Sequence, residues 1–127
     1  MVNNRMQKPR ILIVDDEPGL VRLLTLILKT RHEVRSVTDA TRALEAAGKF
    51  KPDWVLLDWV MPHISGGDVA QQIRADAPLS NTRILFLSAI MMRRDGPREM
   101  AGFPALAKPI GMHELIASID EQLRKAA

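Results

Sequence analysis

The sequence has no cysteine and no tyrosine, and aromatic residues make up only 4% of it. Without cysteine there is no disulfide, no thiolate metal site and no cysteine nucleophile, a pattern that suits a reducing cytoplasm. No run of apolar residues is long enough to cross a bilayer: the longest, Ile84 to Met92, is far short of the ~20 residues a span requires. The N-terminal MVNNRMQKPR is polar and lacks the apolar stretch of a signal peptide. A soluble, unexported, cytoplasmic protein with no membrane partner is therefore expected. Neither sign of charge dominates, since 18 Lys and Arg face 15 Asp and Glu for a net charge of +3. The basic residues form no dense stripe with interleaved aromatics, so the basicity reads as a solvated surface and not as a nucleic-acid footprint. Repeats, linkers and low-complexity segments are absent too. A chain of 127 residues has room for one domain with one core, so the expectation is a polar tail over 1–9, a single domain over 10–127, no DNA-binding domain, and an output made by the domain's own surface.

Short apolar runs alternate with stretches of helical period. Ile11 to Val14 is followed by Leu20, Leu23, Leu24 and Ile27, spaced for one helix face. The pattern recurs as Val34 to Val37 with Ala40 to Ala47, Trp54 to Leu57 with Val69 to Ile73, and Ile84 to Leu87 with a poor helix near Met91 to Met100. A last short strand, Ala105 to Ala107, precedes Met112, Leu115, Ile116, Ile119 and Leu123. Strands that are continuous apolar runs are buried on both faces, so five βα units predict an α/β fold, a doubly wound five-stranded parallel sheet between helices.

In such sheets, sites form where the strands end. Those positions hold Asp15 and Asp16 after the first strand, Asp58 after the third, Ser88 at the end of the fourth and Lys108 after the fifth. Three carboxylates held close together repel one another, an arrangement that survives only with some of them protonated or with a cation among them. With no Cys, and no histidine in these loops at metal spacing, an oxygen-only site favours Mg²⁺. A hydroxyl and a lysine opposite the metal would complete a cradle for a phosphoryl group, so the chemistry indicated is phosphoryl transfer to a carboxylate. Taken singly, each residue has a plainer reading: a turn-forming aspartate, a satisfied buried hydroxyl, a surface lysine. Trp54, Met91 and Met92 read as packing, and His32, His63 and His113 show no metal spacing, so none is assigned a site role, although His63 lies in the loop near Asp58 and could touch a partner.

The segments ILIVDDEP (Ile11 to Pro18), PDWVLLDWVMPHISG (Pro52 to Gly66), ILFLSA (Ile84 to Ala89) and AKP (Ala107 to Pro109) follow one another as in the receiver domains of two-component response regulators, which the chain resembles from Arg10 to Leu123. The resemblance implies a (βα)5 flavodoxin-like fold with strand order 2-1-3-4-5. It also implies a regulatory phosphoacceptor that catalyses only its own phosphorylation and dephosphorylation, supplied by a sensor histidine kinase, a histidine phosphotransfer protein or a small phosphodonor. Asp58 would be the phosphoacceptor. Asp16, Asp58 and the backbone carbonyl of Val60 would ligate Mg²⁺, with Asp15 acting mainly through metal-bound water. Ser88 and the Ala89 amide would bond phosphoryl oxygens, and Lys108 would pair with their charge. Pro109 would follow the lysine in the family's cis form, and Pro62 and Gly66 would shape the loop after Asp58.

Other readings share the fold. A flavodoxin-like cofactor binder needs a Gly, Ser or Thr-rich first loop, where this chain has Asp15, Asp16 and Glu17. A haloacid-dehalogenase-type phosphatase needs two aspartates flanking one residue, a spacing this chain lacks. A scaffold that never turns over phosphate has no need of the intact set from Asp15 to Lys108.

The chain also departs from the family. Val60 and Ile90, apolar at positions that border the hydrolytic water in receivers, imply slow autodephosphorylation. Ala105 stands where receivers usually carry the Tyr or Phe that swings inward on activation. Gly96 and Pro97 predict a short or irregular fourth helix. Reordering of the backbone from Ile90 to Gly102 is therefore expected on activation, with Met91, Met92, Arg93, Arg94 and Arg98 as the partner face; the alternative, less favoured by its register, is Phe103 as a substitute ring.

Overall fold

The computed structural model describes residues 8–88, 98–107 and 112–125. Six strands form one sheet in the order β2-β1-β3-β4-β6-β5: β1 Arg10–Val14, β2 Glu33–Val37, β3 Trp54–Asp58, β4 Arg83–Ser88, β5 Arg98–Met100 and β6 Phe103–Ala107. Pairings among β1, β2, β3, β4 and β6 are all parallel, so the expected doubly wound sheet is present. Four α-helices accompany it among the described residues: α1 Pro18–Leu28, α2 Ala43–Phe50, α3 Gly66–Ala75 and α4 Met112–Lys125.

Side chains alternate between the two faces of each strand, and both faces are apolar. Leu12, Val14, Val55, Leu57 and Phe86 pack with Ala43, Ala47 and Phe50 of α2 and Val69 and Ile73 of α3. Ile11, Ile13, Leu56, Leu85 and Leu87 pack on the other side with Val21, Leu24 and Leu28 of α1 and Ile119 of α4. Each fully buried aliphatic side chain contributes about 1.5–3 kcal/mol, so β1 and β3 are the anchored centre of the molecule. The buried face of α1 differs from the expected one: Val21, Leu24 and Leu28 point inward, and Leu23 is 41% exposed. Pro18 opens this helix, where its missing N–H goes unused. Lys51 ends α2 in the left-handed conformation, ahead of Pro52. Asp39 caps the short 3-10 turn Ala40–Arg42, and bonds from the Thr41 hydroxyl and amide hold its carboxyl below the ordinary range.

The sheet has six strands where five were expected. Arg98–Met100, read from sequence as the end of a poor helix, is instead an antiparallel strand paired to β6, with Met100 opposite Phe103. Partial burial of Met100 and Phe103 against the core favours the hairpin. Its two-residue turn places Ala101 at φ 52° and Gly102 at φ 84°, a type I′-like pairing that matches strand twist but strains the alanine. Residues 89–97, where the remainder of the fourth helix was expected, lie outside the described residues. Replacing Ala101 by Gly should relieve this strain and stabilise the fold by about 0.5–1 kcal/mol in chemical denaturation, whereas Ala101→Val should destabilise it.

Candidate functional site

Parallel strands end on a common rim. Register pairs Val14 with Leu57, so Asp15 follows β1 at the level where Asp58 closes β3, and Ser88 closes β4 one residue beyond Leu87, the partner of Asp58. The carboxylate oxygens of Asp15, Asp16 and Asp58 lie within 4.8 Å of one another. Asp15 and Asp58 are buried, Asp16 is half-buried, and Ser88 is fully enclosed. The Asp15 carboxylate accepts the Glu17 amide at 3.0 Å, which folds the chain back as it leaves β1, and the Asp15 amide donates to Val37 O on β2. Three crowded oxygen donors, two of the groups withdrawn from water, are a set that could hold a hard cation. The structure thus brings together the expected residues Asp15, Asp16, Asp58 and Ser88. Ala89, Ile90, Lys108 and Pro109 lie outside the described residues, as do Met91 to Pro97.

The loop after Asp58 is fixed by its backbone. The Trp59 amide donates to Leu87 O on β4, and its carbonyl accepts the Gly66 amide, both at 2.9 Å. Ser65 then caps α3 by accepting the Asp68 amide. Gly66 is required by close approach: a Cβ there would stand 2.3 Å from the Asp58 carbonyl oxygen and 2.9 Å from Trp59 Cα. The side chain of Val60 is 59% exposed on the same loop. His63 is also exposed there, at φ 72°.

Trp59 was passed over in the sequence. Its ring meets Phe86 edge-on, with centroids 4.9 Å apart, and Phe86 meets Phe103 in the same manner at 5.9 Å. The Arg74 guanidinium sits 4.8 Å from the Phe103 centroid and donates to the Ser80 and Thr82 carbonyls. Ala105, buried on β6, is the cross-strand partner of Phe86. Phe103 lies two residues earlier on the same face of β6, so a continuous row of rings joins the residue after Asp58 to the β5–β6 hairpin. An aromatic directly after the strand-end aspartate, followed by the Gly66 and Gly67 pair, was the signal available for Trp59.

Comparison with known proteins agrees with this geometry. The model of the response regulator receiver domain family matches residues 11–120. Over 124 residues the chain is 34% identical to the DNA-binding response regulator MtrA of Mycolicibacterium smegmatis, covering 93% of this chain and 52% of that protein. It is 29% identical to the DNA-binding dual master transcriptional regulator RpaA of Synechocystis, covering 92% and 50%. The solved chemotaxis response regulator CheY4 of Vibrio cholerae superposes with a TM-score of 0.77 at 21% identity, covering 91% of this chain and 98% of that one.

The chain belongs to the response regulator receiver domain family of two-component systems, whose members are regulatory phosphoacceptor domains. It spans about half the length of the curated relatives it matches. One expectation is overturned: the absence of a DNA-binding domain from the partnership does not stand, because MtrA and RpaA are DNA-binding regulators twice as long as the matched region. A single-domain count based on chain length had no bearing on what the other half of such relatives does. No helix among the described residues is long and apolar enough to cross a membrane.

Substituting Gly66 by Ala would drive a methyl group into the Asp58 carbonyl, which belongs to rigid backbone. A loss of about 2–3 kcal/mol in urea unfolding is expected. Gly48→Ala, which meets nothing within 4 Å, should leave stability nearly unchanged or slightly raised.

Proposed function

We propose that Asp58 is the phosphoacceptor of this receiver and that the rim around it is the switch's chemical centre. The observation that carries this reading is the cluster of Asp15, Asp16 and Asp58 carboxylates within 4.8 Å at the end of β1 and β3. In the reaction an Asp58 carboxylate oxygen attacks the phosphorus of a phosphohistidine or small phosphodonor. The bond from phosphorus to the donor atom breaks, and an acyl phosphate forms on Asp58.

The donor set fits Mg²⁺, with Asp16, Asp58 and the Val60 carbonyl as direct ligands and Asp15 acting through water. When bound, the ion would offset the carboxylate charge and the charge of the incoming phosphoryl group. Ser88 and the Ala89 amide would donate to phosphoryl oxygens, and the Lys108 ammonium would pair with the remaining charge, with Pro109 setting the chain direction after it. Residues 10–127 would form the receiver unit, with 1–9 as a tail.

The kinase or histidine phosphotransfer protein that supplies the group would act in the cytoplasm. Output through a DNA-binding domain belongs to the same proposal, on the strength of the relatives' names. The Trp59–Phe86–Phe103 row supports a readout in which Phe103, in place of the absent ring at Ala105, follows the state of the rim toward Arg98–Gly102.

Intact-mass measurement after acetyl phosphate or phosphoramidate treatment with Mg²⁺ should show one phosphoryl adduct in the native chain and none in Asp58→Asn. An adduct that persists in the variant, or its absence from the native chain with every donor, would remove the assignment. The acyl phosphate should also be long-lived for a receiver, since neither Val60 nor Ile90 offers an acceptor to orient water. The double variant Val60→Asn, Ile90→Glu should lose its phosphate several-fold faster in a time course quenched in acid. Equal decay would show that these side chains do not govern access.

A further inference from the structure

The opposite pole of the sheet, where the strands begin, has an electrostatic character that the linear sequence hides. Lys8, Arg10, Lys29, His32 and Lys51 line a hollow of about 840 Å³ together with Glu33 and Asp53. Two further hollows adjoin it. One shares Lys51 and Asp53 and adds Arg83, and the other shares Arg10 and Glu33 and adds Arg35 and Lys49. Across the three, seven Lys and Arg side chains face only two carboxylates.

Arg10 engages both acids. Its Nε lies 3.4 Å from Glu33, and its backbone amide donates to Asp53 at 2.8 Å. Its guanidinium also donates to the Phe50 carbonyl at 3.0 Å, and those of Arg10 and Arg35 both lie over the Phe50 ring. Among the described residues, Lys8, Lys29, Lys49, Lys51 and Arg83 have no carboxylate within ion-pair distance. The side chains lining the three hollows carry a net charge of +5, against +3 for the whole chain.

We infer that this pole is a docking surface for the phosphate backbone of double-stranded nucleic acid, bound without regard to sequence. Three features select that partner over a small anion or a lipid surface. The cations are spread along connected hollows instead of converging on one point. α1 and α2 present their carboxyl ends here, whose partial negative charge Lys29 and Lys51 offset, and not an amino terminus with a nest of N–H groups for a single phosphate. The exposed large apolar side chains, Leu23, Leu26 and Val60, are not among the residues lining the hollows, so the pole has no wedge for a bilayer. Lysine ammonium groups on flexible stems act as point charges that follow a regular phosphate array and read no base edges. Lys8, Lys29, Lys51 and Arg83 lie where the strands begin and Asp58 where β3 ends, so the inference does not depend on Asp58 chemistry.

The test is fluorescence anisotropy of the full chain with a labelled duplex oligonucleotide of arbitrary sequence, titrated at several salt concentrations. Binding should fall steeply with salt, by about 0.9 in log–log slope per phosphate neutralised. The triple variant Lys8→Gln, Lys29→Gln, Lys51→Gln should bind at least about tenfold more weakly at low salt, with a slope smaller by roughly 2 to 3. Arg22→Gln with Arg42→Gln, which line none of the hollows, should bind like the native chain. Circular dichroism of each variant checks that it is folded, and single lysine variants replace the triple one if it is not. Three results would overturn the proposal: no duplex binding at low salt, unchanged binding in the folded lysine variants, or displacement of the duplex by poly-glutamate at an equal or lower concentration of negative charge, which would assign the surface to an acidic polypeptide instead.

Discussion

Repulsion among the Asp15, Asp16 and Asp58 carboxylates, held within 4.8 Å with two of them buried, is the constraint that the rest of the architecture has to withstand. Side chains on a mobile loop would move apart under that repulsion. Here Asp58 ends a strand buried along its whole length, and Asp15 follows immediately on another whose last four residues are buried. Both strands are hydrogen-bonded to neighbours on either side and covered by apolar helix faces. The central strands thus hold like charges in a small volume, and the energy for doing so comes from hydrophobic burial on both faces of the sheet. The geometry of the three carboxylates is thus set by the packing of the sheet.

Close approach extends this rigidity into the loop after Asp58. Trp59 is tied to β4 by one backbone bond and to the start of α3 by another, and Gly66 lies against the Asp58 carbonyl with no room for a methyl group. The indole ring rests edge-on to Phe86 and over Gly67. A change in charge at Asp58 thus acts on a segment with few ways to move. Its aromatic contact leads across β4 to Phe103 and Arg74, whose guanidinium holds the carbonyls of Ser80 and Thr82.

How legible these features were in the sequence follows from the range of the forces behind them. β1, β3 and β4 were visible because continuous apolar runs such as Ile11 to Val14 can be satisfied only by burial on both faces. The rim was visible because parallel strands place the residue after each run at the same end, so Asp15, Asp16, Asp58 and Ser88 could be grouped from their positions alone. The β5 strand was not, since three residues gain strand character only by pairing with β6, and the Ala101–Gly102 turn lacks the Asn-Gly signal of a tight hairpin. The inward face of α1 was misjudged by a fraction of a turn because Leu20, Leu23 and Ile27 compete with Val21, Leu24 and Leu28 in a helix rich in leucine. The basic pole was hidden for a different reason. Lys8, Lys29 and Lys51 are about twenty residues apart in the sequence, and only the parallel topology brings them together.

The length of the strands has a consequence of its own. Five residues of β-strand span about 17 Å, so the carboxylate rim and the lysines that precede the strands, Lys8, Lys29 and Lys51, are separated by roughly two Debye lengths at physiological ionic strength. Mobile ions in the surrounding solvent would screen most of the field of a phosphoryl group on Asp58 before it reached Lys29 or Lys51. The two ends of the molecule are in this sense electrically insulated from each other. A change of charge at one end would then leave the potential at the other nearly as it was, and a domain held by its lysine end would leave its aspartate end facing the solvent.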